Sequence, residues 1–123
     1  MNKNEAIRIL NNKLSPSRLS VRNTHWSNLV EYGAEIGWWL NVPFHKFEKD
    51  LFLILNDEPN NCFYCIKLPA KTVPTPQNKF RDKQGAADVF MPSSGRKRMV
   101  DTQAGSSEFD FNTYQVAEVK YEI

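Results

Sequence analysis

The amino-acid sequence predicts an α+β fold: one N-terminal helix, then a mainly antiparallel, curled sheet of six or seven strands approaching a half-open barrel. Three observations carry this expectation. An apolar stripe at helical spacing occurs near the N-terminus. Two short apolar runs, Leu51–Leu55 and Cys62–Leu68, are split by the turn-rich insert Asn56-Asp57-Glu58-Pro59-Asn60-Asn61. The C-terminal residues alternate with a period of two. A helix followed by a run of strands is the pattern of α+β proteins.

The helix is expected over residues 3–14. Ala6, Ile7, Leu10 and Leu14 fall on one face at three- and four-residue spacing. Asn4 is placed to cap it, and Glu5 sits near the positive end of the helix dipole. Ser15-Pro16 stops it, because a residue before proline is pushed out of helical geometry. Leu19 and Val21 then alternate with Ser20 and Arg22, which suggests a short strand. Residues 23–28 have the composition of a loop carrying Trp26. Leu29–Tyr32 is either a strand or a single helical turn.

From Gly33 to Pro43, Ile36, Trp38, Leu40 and Val42 alternate with Gly37, Trp39 and Asn41. That is a half-buried strand, with Trp39 on the face opposite Trp38 and the more exposed of the two. The central hairpin follows, spanning Phe44 to Pro69. Its apolar runs have no polar alternation, so both strands should be covered on both faces. Pro69, Pro74 and Pro76 punctuate an extended surface segment over residues 69–84. Gly85, Gly95 and Gly105 recur at the spacing of turns between strands, placing strands near 86–91 and 97–102. The last strand, near 114–122, sets Ala117, Val119, Tyr121 and Ile123 against Glu118, Lys120 and Glu122.

With 123 residues, 41% of them hydrophobic, the chain has the size of one domain, 1–123, with one core. No run of 18 apolar residues spans a membrane. The N-terminus has no apolar signal-peptide centre, and the absence of sorting signals favours the cytoplasm. Cys62 and Cys65 form a Cys-x-x-Cys pair. On a strand, however, such positions point to opposite faces, and a redox pair ordinarily opens a helix. Buried thiols are the expectation, and neither a metal nor a cofactor is expected.

Charge is unevenly distributed. Residues 1–65 are neutral overall, residues 66–100 carry +6, and residues 101–123 carry −4. The basic block contains Lys79, Arg81, Arg96, Lys97 and Arg98. Cations on loops suit an anionic partner, since each phosphate contact releases counterions. Lys79-Phe80-Arg81 interleaves a ring with two cations, a pattern suited to stacking on a base while holding its backbone. Trp39 is a candidate stacking platform. The same cations could also be plain solvated surface, neutralised by the acidic C-terminal strand.

Val116-Ala117-Glu118-Val119-Lys120 follows Asp110 at a distance of a few residues. An Asp, a gap and a strand reading apolar-x-Glu-x-Lys resembles the PD-(D/E)XK nuclease family. The resemblance covers about a dozen residues. It implies that Glu118 and an aspartate (Asp110, Asp101 or Asp88) would bind a divalent cation and that Lys120 would help activate water. No phosphate-cradling glycine loop and no nucleophile elbow occurs.

The sequence therefore favours a small non-catalytic binding module. Its basic loops over residues 71–98 would dock an acidic partner, DNA or RNA among the candidates, through Lys79, Arg81, Arg96, Lys97, Arg98 and Trp39. The alternatives are a protein-interaction or homodimerisation domain using exposed aromatics and an open sheet edge, and the metal-dependent nuclease fragment.

Overall fold

The computed structural model describes residues 1–14 and 18–122. It is an α+β arrangement of one long helix and two four-stranded sheets, neither of them closed. The helix α1 runs Lys3–Lys13. The strands are β1 Thr24–Ser27, β2 Leu29–Tyr32, β3 Glu35–Pro43, β4 Leu51–Asp57, β5 Cys62–Leu68, β6 Arg81–Lys83, β7 Ala86–Pro92 and β8 Gln115–Lys120, with a single-turn helix α2, Pro76–Lys79, before β6. Sheet A has the order β1-β4-β5-β8 and sheet B the order β2-β3-β7-β6. All pairings are antiparallel except β1 with β4.

This corrects the expectation of a single curled sheet. The chain changes sheets at Asn28, between β1 and β2, and local alternation does not record such a switch. Side chains stitch the junction. Ser27 Oγ donates to the Asn28 carbonyl (2.7 Å) and accepts the Trp39 N–H (3.1 Å). Asn56 Nδ2 donates to Asn28 Oδ1 (2.8 Å), while Asn56 Oδ1 accepts from the Tyr121 hydroxyl (2.7 Å) and the Asn56 carbonyl from Trp38 Nε1 (2.9 Å). Asn56 is fully buried, so these bonds repay the dehydration of its amide.

The sheets pack face to face. Trp38, Leu40 and Val42 of β3 and Val89 and Met91 of β7 meet Leu51, Leu53 and Leu55 of β4 and Ile66 and Leu68 of β5. A second core lies on the other face of sheet A, where Ala6, Ile7 and Leu10 of α1 cover Phe52, Ile54, Phe63, Cys65 and Val119. Helix, sheet A and sheet B thus form three layers. The central hairpin is the middle layer, which is why β4 and β5 are apolar at nearly every position. Each buried Leu or Ile contributes about 1.5–3 kcal/mol relative to exposure.

Local details depart from the sequence expectations. The helix cap is Asn2, whose side chain accepts the Glu5 N–H (2.9 Å), rather than Asn4. The Ser15-Pro16 stop lies outside the described residues. Leu19–Val21 is not a strand: both main-chain groups of Leu19 bond the Asn11 amide (2.9 and 3.0 Å), which substitutes for a strand partner. Leu19 is buried while Val21 is 60% exposed. Residues 24–27, expected as loop, form the short parallel edge strand β1. Leu29–Tyr32 is a strand. Ile36 shares the face of Trp38 but is 52% exposed, beyond the end of the core.

Residues 69–84 are not merely an extended surface. Val73, Pro76 and Phe80 are buried, and Phe80 stacks on Phe47 with ring centroids 5.3 Å apart. Residues 97–102 are turn rather than strand, joined to the rest by one isolated bridge, Val100 to Asp110. Among the described residues no helix is long and apolar enough to cross a membrane.

Candidate functional site

Sheet B has one face against sheet A. Among the described residues its other face has no helix over it. Strand alternation decides which side chains stand there. Trp38, Leu40 and Val42 point into the core, so Trp39 and Asn41 point outward. Register adds the rest: Trp39 is opposite Phe90, Asn41 opposite Asp88, Asp88 opposite Arg81, and Ala86 opposite Lys83. Val30 and Tyr32 of β2 complete the face, opposite Gly37 and Glu35. The close approach of β3 to β7 requires glycine at position 37, where a Cβ would stand 2.1 Å from the Met91 carbonyl oxygen.

Asp88 organises this face. It is 3% exposed. Its Oδ1 accepts from Trp39 Nε1 and from Asn41 Nδ2 (2.8 Å). Its Oδ2 accepts from Gln103 Nε2 (3.0 Å) and faces Arg81 Nε at 3.8 Å. Gln103 Oε1 in turn accepts from the Tyr32 hydroxyl (3.1 Å). One carboxylate therefore fixes the indole, two amides and a guanidinium. The Trp39 ring is 38% exposed, against 0% for Trp38. Tyr32 lies 5.3 Å from it and Lys83 Nζ 5.2 Å from its centroid.

Gln103 is positioned by the segment beside β7. Thr102 N–H donates to the Phe90 carbonyl (2.9 Å), and Asp101 Oδ1 accepts the Phe90 and Gln103 N–H groups (3.3 and 3.1 Å). Asp101 is fully buried, and among the described residues its Oδ2 has no hydrogen-bond partner. Burial, with a smaller repulsion from Asp88, pushes its carboxyl up to about 6 against the opposing Gln103 and Phe90 main-chain N–H groups and the Ser106 side chain.

The six residues singled out from sequence divide between surroundings. Trp39 and Arg81 share the outer face and meet at Asp88. Lys79 is exposed at the end of α2, directly before β6, with no ion pair among the described residues; its carbonyl accepts from Ser107. Arg96 is exposed in the turn after β7, also without an ion pair among the described residues. Lys97 pairs with Glu108 at 3.0 Å, and Arg98 lies over the Tyr64 ring at 4.8 Å. The basic block is thus not one uncompensated patch. Tyr32, Asn41, Lys83 and Gln103 were not singled out. Asn41 was legible by parity with Trp39, and Lys83 belonged to the basic block. Nothing local marks Tyr32 or Gln103.

The aspartates of the nuclease resemblance have hydrogen-bond partners of their own, none of them Glu118. Asp88 and Asp101 serve sheet B, Asp110 accepts the Asn112 N–H (2.9 Å), and Glu118 stands opposite Tyr64 in sheet A. Among the described residues, no three His, Cys, Asp or Glu side chains are grouped to hold a metal ion. Cys62 and Cys65 are free and buried. Burial pushes the Cys65 thiol up to about 12 and, together with Glu118, raises that of Cys62, so neither is a thiolate at neutral pH. Comparison with known proteins found no matching family model, no similar curated protein and no similar solved structure.

Proposed function

We propose that this protein is a non-catalytic module that binds single-stranded nucleic acid on the outer face of sheet B. The observation that carries the proposal is the half-exposed Trp39 ring, held by Asp88 beside Tyr32 and flanked by Lys83 and Arg81. Every base has a π-face, so rings on an open sheet bind single strands without needing a fixed sequence. Each stacked base contributes about 1–3 kcal/mol. Lys83, Arg81 and the exposed Lys79 would hold the backbone.

The test is anisotropy of a labelled single-stranded oligonucleotide across a salt series. Two or three phosphate contacts predict a loss of roughly 7- to 20-fold in affinity between about 50 and 200 mM salt. Trp39→Ala should weaken binding about tenfold, in line with one lost stack. Absence of binding at the low-salt end, or equal binding by the variant, would discard the proposal.

A second reading is protein docking or self-association on the β2–β3 hairpin. It is favoured by the exposure of Val30, Tyr32, Ile36 and Trp39 there and by β2 being an open edge. Light scattering that gives a dimer independent of salt would select it.

A further inference from the structure

Sheet A ends at β8, and among the described residues no strand pairs with its outer side. At six residues β8 is the longest open edge of the two sheets, against four in β1, four in β2 and three in β6. Its ladder with β5 fixes which main-chain groups are free. The Tyr121 N–H donates to the Asn61 carbonyl (2.9 Å), and the register continues Lys120 to Cys62, Val119 to Phe63, Glu118 to Tyr64 and Ala117 to Cys65. Directly opposed antiparallel residues alternate between bonded and non-bonded pairs. Tyr121, Val119 and Ala117 therefore bond toward β5, and the N–H and C=O groups of Glu118 and Lys120 point away from it. A bulge at Val116, between the Ala117–Cys65 and Gln115–Ile66 pairs, ends the regular edge on one side.

The two faces of this edge differ. Val119 is buried under α1, with Ala117 and Tyr121 packed beside it. Glu118 and Lys120 stand on the opposite face by alternation. Both are exposed, and among the described residues neither is in an ion pair. Charge on an edge ordinarily keeps copies from pairing, because like meets like. Here the two signs lie two residues apart. A two-fold axis through Val119 sets Glu118 opposite Lys120 of a second copy on both sides of the axis. The same register sets Val119 against Val119 and Ala117 against Tyr121, so the apolar strip under α1 continues across the join. An axis through Glu118 or through Lys120 would instead put like charges face to face, and one through Ala117 would oppose Glu118 to the bulged Val116.

We propose that β8 is a self-association edge, on which two copies of this chain join antiparallel about a two-fold axis at Val119 and merge their A sheets into one. Each Glu118–Lys120 pairing exchanges two main-chain hydrogen bonds and adds one cross-strand ion pair. The contact uses the same edge on both copies, so it closes at the dimer and does not propagate. It is small beside a standard interface, which places its dissociation constant at about 10 μM to 1 mM. β8 shares no residue with the outer face of sheet B or with the β2–β3 hairpin. The dimer therefore stands or falls independently of nucleic-acid binding and of association through that hairpin.

The test is sedimentation equilibrium of the whole protein at low salt, up to about 1 mM. The unaltered chain should show a monomer–dimer equilibrium that weakens as salt screens the exposed pairs. Glu118→Lys and Lys120→Glu each turn two unlike pairs into two like ones and should each weaken the dimer roughly tenfold. Mixing the two variants should restore it, because a chain with lysine at both positions then meets a chain with glutamate at both. In the unaltered protein the Glu118 and Lys120 amides should exchange more slowly at high concentration than at low, a readout that does not depend on the variants folding. A monomer at every concentration, with those amides unprotected throughout, would overturn the proposal. So would a dimer that both single variants keep, which assigns association to another surface, or folded variants that fail to recombine on mixing.

Discussion

Asp101 and His25 impose opposite pH dependences on folding, and their separation is a quantitative prediction. Asp101 binds its proton more tightly when folded, with a pKa raised from 3.8 to about 6. Its stabilising contribution is complete below 3.8 and is lost as pH rises through 6. His25 is the reverse, lowered from 6.5 to about 4. Its contribution is complete above 6.5 and is lost as pH falls through 4. The Asp101 shift corresponds to about 3 kcal/mol over its window. His25 is only partly buried, and its shift comes from burial and from the Lys3 and Lys46 charges, so solvent screening makes its contribution smaller. The two windows overlap, so these slopes partly cancel in the unaltered protein. Asp101→Asn removes the falling limb: its stability relative to the unaltered protein should rise by about 3 kcal/mol between pH 4 and 7. His25→Gln should fall over the same range, by less than Asp101→Asn rises, because His25 is only partly buried. Urea unfolding followed by tryptophan fluorescence measures both as midpoint differences of about 1–3 M across the pH range. Differences that stay constant with pH would refute the assignment of these buried proton equilibria. Any cost of placing an amide at position 101 shifts a whole curve and leaves its slope untouched.

Other substitutions test particular contacts. Gly37→Ala forces β3 from β7 and should destabilise by about 1–3 kcal/mol or more, read by thermal unfolding. Asp88→Asn replaces an acceptor-only group with an amide that faces the donors of Trp39, Asn41 and Gln103. It should cost about 1–3 kcal/mol in urea unfolding despite removing a partly unneutralised charge. Asn56→Ala strands the Tyr121 hydroxyl and the Asn28 side-chain oxygen at the sheet junction. Its unfolding midpoint should fall by the equivalent of about 1–3 kcal/mol. Asn2→Ala removes the α1 cap and should cost about 1 kcal/mol, with faster amide exchange confined to the first turn.

The parts of the fold that were legible in the sequence are those specified by local repetition. Leu51–Leu55 and Cys62–Leu68 form the predicted pair, registered Leu51 to Leu68, because an apolar run bounded by turn residues has few other solutions. The helix stripe and the outward turn of Trp39 follow from periods of 3.6 and 2. Partner choice has no such local signal. Three of the four residues of β1 are polar, and their parallel partner β4 lies more than two dozen positions away. Leu19 and Val21 imitate a strand, but the Asn11 amide takes the main-chain groups that a neighbouring strand would need. The same limit governed the candidate site. Positive charge was visible residue by residue, but its neutralisation was not: Glu108 reaches Lys97 and Asp88 reaches Arg81 only through the fold.

The two faces of the sandwich differ in a way that bears on function. Sheet A is covered on both sides, so its stability comes from area removed from water. Among the described residues the outer face of sheet B has neither helix nor sheet over it; Phe90 and Asp88 are buried there only by side chains of the face itself and of Gln103, and the nearly buried carboxylate is ringed by donors. An apolar residue at position 88 would avoid the desolvation of that charge. Asp88 contributes something an apolar side chain could not: it fixes the Trp39 ring from its indole N–H and aligns Asn41, Gln103 and Arg81 around it. A ring ordered before a ligand arrives loses less entropy on contact. The cost of burying the carboxylate is therefore offset where a flat partner is to be bound, and that is the physical link between the architecture of sheet B and the stacking role proposed for it.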